Sequence, residues 1–381
     1  MRTEKPIAQH DLFAEEIGES SCELFCVMDS RAKCLEFFAG SGLASEALKA
    51  HFKTVWANDN CVKKQVVYRA NHHTPFLLET IKNVHGDTLP SAQLAWASFP
   101  CQDLSLAGNM GGLDAERSGM VWEWLRVIDE MPNAPSILVA ENVVGLVSVE
   151  GGAHYQRLHQ ELVKRGYKVG ALMLDAVHWL PQSRPRIFVV AVKQFVDTTH
   201  LESQGPTWAH TKAVVNAAKG LAAWAWWKLP MPSAETRSLQ SVIEPNAPTD
   251  GDEKQSHLLS MIPTNHQKQL KQAEDTQVFP GYRRTRKGRQ SLELRFDGSA
   301  GCLRTPRGGS SRQVLVLREG QQLKTRLLTV RETARLMGAP DTYKLPGSYN
   351  DGYMAMGDAV AVPVVQHLAE HLLAPISELL K

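Results

Sequence analysis

Between Lys33 and Val192, short apolar runs take turns with helix-like segments: "CLEFF", "ASEALKAHF" and "TVWAND", then "LAWASFP", "SILVAEN" and "RIFVVAV". An apolar run without polar alternation marks a strand covered on both faces, and the segments between supply the covering helices. The pattern predicts a doubly wound α/β sheet, Rossmann-like in layout, over residues 31–194. From about Phe195 it breaks. Residues 195–325 carry Pro, Gly, Thr, Gln and basic residues with no sustained period, which predicts an inserted smaller domain, mainly β or irregular. Helical periodicity returns in "TVRETARLMG", a helix within 326–348, and in "AVPVVQHLAEHLLAPISELL", within a 349–381 segment that goes back to the first domain. Residues 1–30 are polar and weakly patterned, an N-terminal extension.

The charge balance narrows the partners. Lys and Arg number 42 against 40 Asp and Glu, so the formal charge of +2 excludes a wholly basic surface, and any nucleic-acid contact has to rest on local patches. No apolar run reaches about 18 residues, so a membrane span is not expected. Six cysteines without a secretory signal pattern point to a reducing cytoplasm. Cys22 and Cys26 stand close together, but no second Cys or His pair accompanies them, and no metal is expected.

Two features suggest a nucleotide-like cofactor. "EFFAGSGLASEAL" puts Gly40 and Gly42 between a strand and a helix, where a backbone without Cβ atoms turns tightly and lets a ligand approach. Asp59 ends the next strand, a position from which a carboxylate binds ribose hydroxyls. Ser45 replaces the third glycine of the dinucleotide fingerprint, which disfavours a nicotinamide enzyme.

Cys101 follows Pro100 at the end of "LAWASFP", at the carboxyl edge of the sheet. A cysteine beside an apolar run also suits a packed core thiol. Glu141 and Asn142 end another apolar strand, and Gln182, Arg184 and Arg186 precede a third, where alternation sends both arginines to one side. A thiol, a carboxylic acid and guanidiniums at one edge suit an unreactive ring carbon such as cytosine C5. Thiolate addition at C6 makes C5 nucleophilic, an acid at N3 eases the addition, and a cation at O2 stabilises the developing charge. In duplex DNA that base has to be flipped out.

At this point the chain resembles the bacterial and phage cytosine-5 DNA methyltransferases over most of residues 33–375. "FAGSG" is similar to the family's cofactor loop, which implies that Phe38, Gly40 and Gly42 line S-adenosylmethionine, with S-adenosylhomocysteine as product. "FPCQDLS" resembles the nucleophile motif. It implies Cys101 as the attacking thiol, with Pro100 and Gln102 shaping its loop and Ser105 touching a phosphate. "RSGMVWEWLRVI" puts Met120 beside the cofactor. "ENV" carries the acid Glu141, and "QSRPR" carries Gln182 toward DNA and Arg184 and Arg186 toward the base. "MGDAVAVPVV" resembles the segment that closes the cofactor site, although Asp358 stands where the family usually has Asn. Glu79 or Thr80 is left to meet the adenine amine, and Asn60 occupies a position often aromatic.

The resemblance places target recognition between about Phe195 and Lys324. There, "YRRTRKGRQ" offers Arg283 and Arg284 to phosphates, and "CLRTPRGGSSRQ" offers Arg304 and Arg307 to DNA. Trp224, Trp226 and Trp227 are expected to pack within the small domain. The implied enzyme methylates cytosine in a short duplex sequence in the bacterial cytoplasm or nucleoid, acts as a monomer, and works alongside an independent restriction endonuclease. The alternatives are a tRNA cytosine-5 methyltransferase and a catalytically silent DNA-binding module.

Overall fold

The computed structural model describes residues 29–100, 119–233, 237–274, 276–286, 288–305 and 312–381. Arg31–Lys381 is one compact unit. Within it, the apolar runs become the strands of a seven-stranded sheet: β1 (Ala32–Phe37), β2 (Phe52–Asp59), β3 (Phe76–Leu78), β4 (Leu94–Ala97), β5 (Ile137–Val143), β6 (Tyr167–Asp175) and β7 (Pro185–Lys193). Their order is β3-β2-β1-β4-β5-β7-β6, with β7 antiparallel to both neighbours and the other pairings parallel.

Both faces are buried, as runs without polar alternation require. One face joins Cys34, Trp96, Val139, Phe188 and Val190 to the C-terminal helices through Val365, Leu368 and Leu372. The other joins Leu35, Phe37, Leu138 and Val189 to Trp124 of helix Met120–Glu130 and Leu158 of helix Ala153–Lys164. The stretch Tyr349–Glu378 is apolar and long enough to cross a bilayer, but 61% of its apolar window is buried in protein.

The insertion differs from expectation at its start. Residues after Phe195 remain on the large sheet: Trp224 bridges Val169, and the Trp227 indole N–H donates to the Val190 carbonyl (3.0 Å). Gly170 lets this happen, because a Cβ there would lie 2.1 Å from the Ala225 carbonyl. Trp224 and Trp227 therefore pack on the large sheet rather than within the small domain, and Trp226 meets the rings of Trp224 and His210.

The small sheet runs β11-β10-β8-β9, antiparallel throughout, from β8 (Thr276–Arg286), β9 (Arg289–Leu294), β10 (Gln313–Glu319) and β11 (Gln322–Leu327). Two helices the sequence pattern does not announce, Asp252–Ser260 and Thr264–Gln272, cover it through Leu258 and Leu270. Helix Val330–Leu336 opens with a capping box, Thr329 and Glu332. Buried Glu332 also pairs with buried Arg326 at 2.6 Å, which fixes the return from the small sheet to the large one.

Candidate active site

The glycine loop follows β1 as a chain of constrained residues. Phe38, Gly40 and Gly42 all have positive φ (54°, 57° and 84°), and at Phe38 this is backbone strain of the kind concentrated at functional sites. A Cβ on Gly42 would lie 2.6 Å from the His72 ring, so only glycine fits. Asp59 organises the loop from the end of β2: one carboxylate oxygen accepts the Gly40 N–H and the other the Cys61 N–H, each at 2.9 Å. A carboxylate has about four lone-pair sites, so two remain for ligand hydroxyls. Asn58 donates to the Leu77 and Glu79 carbonyls and holds the segment after β3 beside this loop. There, Glu79 Oε1 accepts from the Thr80 N–H (2.7 Å) and Asn83 (3.2 Å), capping its own turn. Met120 starts its helix half-buried against the same core. Asp358 pairs with Lys64 at 2.8 Å. A cradle of positive-φ residues closed by an acid with spare acceptor capacity fits a ribose-bearing cofactor.

The chemistry-bearing edge lies one and two strands away. β4 pairs with β5 in the register Ala97↔Ala140, so the chain leaving β4 through Ser98, Phe99 and Pro100 runs beside Glu141 and Asn142. Buried Asn142 fixes that exit by donating to the Phe99 carbonyl (3.1 Å). Cys101, Gln102 and Ser105 lie outside the described residues. On the other side, Glu141 stands opposite Phe188, which makes Arg186 its diagonal neighbour, and Arg186 Nε meets Glu141 Oε1 at 3.2 Å.

Burial raises the Glu141 carboxyl above the usual range, and Arg186, Arg184 and Ser98 only partly offset it. The site thus holds a carboxylic acid biased toward its protonated form beside a cation. That pairing can donate to a ring nitrogen and stabilise a developing oxyanion.

Two expectations from the "QSRPR" segment need correction. Arg184 is 2% exposed, and its two terminal nitrogens donate to the Leu303 (3.0 Å), Gly357 (2.9 Å) and Ala359 (2.6 Å) carbonyls and to Cys302 Sγ (3.3 Å). Those four protons are committed to protein, so Arg184 braces the segments at 302–303 and 357–359, and only its Nε–H is left without a hydrogen-bond partner among the described residues. Gln182, expected at DNA, is fully buried: its amide donates to the Leu336 carbonyl (2.6 Å) and accepts from the Leu303 N–H (3.1 Å). A glutamine with both ends consumed by main chain cannot read DNA.

Sequence reasoning also missed Cys302. Its sulfur lies 3.3 Å from Arg184 and 3.8 Å from Arg186. Burial opposes ionisation of the thiol, but the arginines outweigh it and hold the pKa below the ordinary value. Its place beside Arg304 in "CLRTP" was the available signal.

On the small sheet, Arg283 and Arg284 are exposed at the β8–β9 hairpin with Arg286 and Arg289. Glu293 neutralises part of that charge, meeting Arg284 at 3.2 Å and also pairing with Arg286. Arg304 is exposed next to Cys302, and its main chain packs against Gly357, where a Cβ would lie 3.0 Å from it. Arg307 lies outside the described residues.

Comparison with known proteins agrees with this geometry. The family described as C-5 cytosine-specific DNA methylase matches residues 32–374. Similar proteins include the type II methyltransferases M.Bsp6I of Bacillus sp. (strain RFL6), 24% identical over 84% of this chain and 91% of that protein, and M.PspPI of Psychrobacter sp. (strain TA137), 27% identical over 94% and 84%. Among solved structures, the Dnmt2 methyltransferase of S. pombe shares the fold with a TM-score of 0.59 at 18% identity, covering 92% of this chain and all of that one. The chain belongs to the C-5 cytosine-specific DNA methylases.

Proposed function

We propose that the chain methylates cytosine C5 in one short double-stranded DNA sequence, as the modification partner of an independent restriction endonuclease. The observation that carries the reading is the Glu141–Arg186 pair at the carboxyl edge, beside the exit of β4, the strand that lies between β5 and the strand leading into the glycine loop. In this reading the target cytosine is flipped into that edge, at a cost of a few kcal/mol repaid by pocket contacts. Cys101 adds as thiolate to C6, protonated Glu141 holds N3 and accepts from the exocyclic amine, and Arg186 faces O2. S-adenosylmethionine supplies the electrophilic methyl group. Once C5 has taken it, loss of the C5 proton to a base lets the C6–S bond break and returns Cys101 as thiolate.

Phe38, Gly40, Gly42, Asp59, Glu79 or Thr80, Pro100, Met120 and Asp358 line the cofactor. Arg283, Arg284, Arg304 and Arg307 approach DNA, with Gln102 shaping the nucleophile loop and Ser105 touching a phosphate. The protein works as a monomer in the cytoplasm, since one site and one recognition domain suffice for each transfer.

The test is transfer of labelled methyl groups to unmethylated genomic DNA and, separately, to bulk tRNA, with bisulfite sequencing of the labelled product. Label at cytosine within one short DNA motif supports the reading. Label in tRNA alone reverses the substrate, and label in neither favours a silent module.

A further inference from the structure

Lys64 belongs to no part of the site as the sequence presents it, yet it faces the glycine loop. It sits in helix Val62–Asn71, just after Asp59, and its Cδ would lie 3.9 Å from a Cβ on Gly40. Its ammonium meets Asp358 at 2.8 Å, with the two side chains 21% and 39% exposed. Burial pulls the Lys64 pKa down, but Asp358 and Asp59 outweigh it and keep the amine charged.

The pair is held from both sides. Ser41 of the loop donates to the Ala355 carbonyl (3.3 Å), tying the loop to the helix that carries Asp358. Arg184 grips the carbonyls on either side of Asp358, those of Gly357 and Ala359. A second ion pair between the same two helices, Lys63–Asp351, has its lysine 71% exposed and serves as a surface tie. One tie would suffice for docking, and a partly desolvated pair adds little stability.

The loop also has a direction. Asp59 stands between the segment after β3, whose Glu79 N–H donates to the Asp59 carbonyl (3.2 Å), and the glycine loop, whose Gly40 N–H donates to its side chain. With a ribose at Asp59 and the base toward Glu79 and Thr80, the other end of the cofactor extends over Gly40 toward Lys64 and Asp358. That end of S-adenosylmethionine is an α-amino acid zwitterion. We infer that Lys64 and Asp358 exchange partners on binding and recognise the zwitterion as a unit, Lys64 taking its carboxylate and Asp358 its ammonium. The inference rests on the cofactor reading above, and it explains why an acid stands where the family usually has a neutral amide.

The test is calorimetric binding of two ligands to the full chain: S-adenosylhomocysteine, which keeps the amino-acid end, and 5′-methylthioadenosine, which lacks it. Wild type is measured first; failure to bind S-adenosylhomocysteine overturns the cofactor reading and the inference together. With wild type binding, Lys64→Met and Asp358→Asn should each weaken S-adenosylhomocysteine by about 10- to 100-fold, the range for one charge-assisted contact. Both should leave 5′-methylthioadenosine within about twofold, which also shows that the variants are folded, and Lys63→Met should change neither. Equal losses for both ligands would make the pair a brace of the loop, and unchanged S-adenosylhomocysteine affinity would remove it from recognition; either result overturns the inference alone.

Discussion

Replacing Arg184 with Met distinguishes a brace from a base contact. The substitution keeps an unbranched apolar stem and deletes the guanidinium, leaving the carbonyls of Leu303, Gly357 and Ala359 without their donor. Carbonyls stranded in the interior cost about 1–3 kcal/mol each. The low end of that range applies, because deleting a buried cation whose pKa is depressed chiefly by burial also removes its desolvation cost. The net loss is about 3 kcal/mol. With an unfolding entropy of about 2.1 cal/mol/K per residue, a unit of this size should lose about 4 °C in Tm. The assay is a thermal melt without ligand, paired with S-adenosylhomocysteine affinity, which should fall because the Asp358 turn loses its clamp. A Tm within 1 °C or so of wild type, with kcat alone reduced, would refute the reasoning and return Arg184 to the base pocket.

Glu141→Gln should lower kcat by about 10²- to 10⁴-fold, as expected for loss of a positioned acid. Because its carboxyl is raised and acts protonated, wild-type kcat/KM should fall as pH rises through that raised pKa; a profile in which Glu141→Gln keeps this alkaline limb would assign the limb elsewhere. Glu36 lies buried under the glycine loop, accepting from Ser45, and burial pushes it up to about 7. A raised folded pKa stabilises fully below the unfolded value of 4.5, and that contribution, about 3 kcal/mol, is lost as pH rises through 7. Glu36→Gln should therefore gain in Tm relative to wild type between pH 5 and about 8.5, and a pH-independent difference would contradict the assignment. Trp227→Ala should cost about 3–5 kcal/mol, read by denaturant melts, because the indole fills the large sheet's core. A stable variant with weakened DNA binding would place Trp227 at the nucleic acid instead.

The large sheet was legible because each strand writes its own burial into contiguous residues, and the meeting of Glu141 and Arg186 at one edge was legible because they lie near the ends of such strands. What the sequence hid depends on partners far along the chain. Arg184 reads as a site arginine, but its acceptors are main-chain carbonyls, one of them 173 residues away, and a carbonyl leaves no residue-type signature. Gln182 misled for the same reason. Lys64 looks like an ordinary surface charge until the fold brings it to Asp358. The tryptophan cluster was misplaced because the compositional change at Phe195 precedes the structural boundary: the chain changes character while still covering the large sheet. The helices at 252–272 escaped because they bury little besides Leu258 and Leu270, too few apolar positions to show a period.

Covalent capture tests the central claim, thiolate addition to cytosine, most directly. Duplex DNA carrying 5-fluorocytosine at its cytosines is incubated with the protein and S-adenosylmethionine, then denatured and resolved by mass. After methyl transfer the fluorine cannot leave as a proton would, so the wild-type protein should remain attached to DNA through Cys101, and Cys101→Ala should form no adduct. Wild-type protein that methylates ordinary cytosine but forms no adduct, or an adduct that survives Cys101→Ala, would contradict the account.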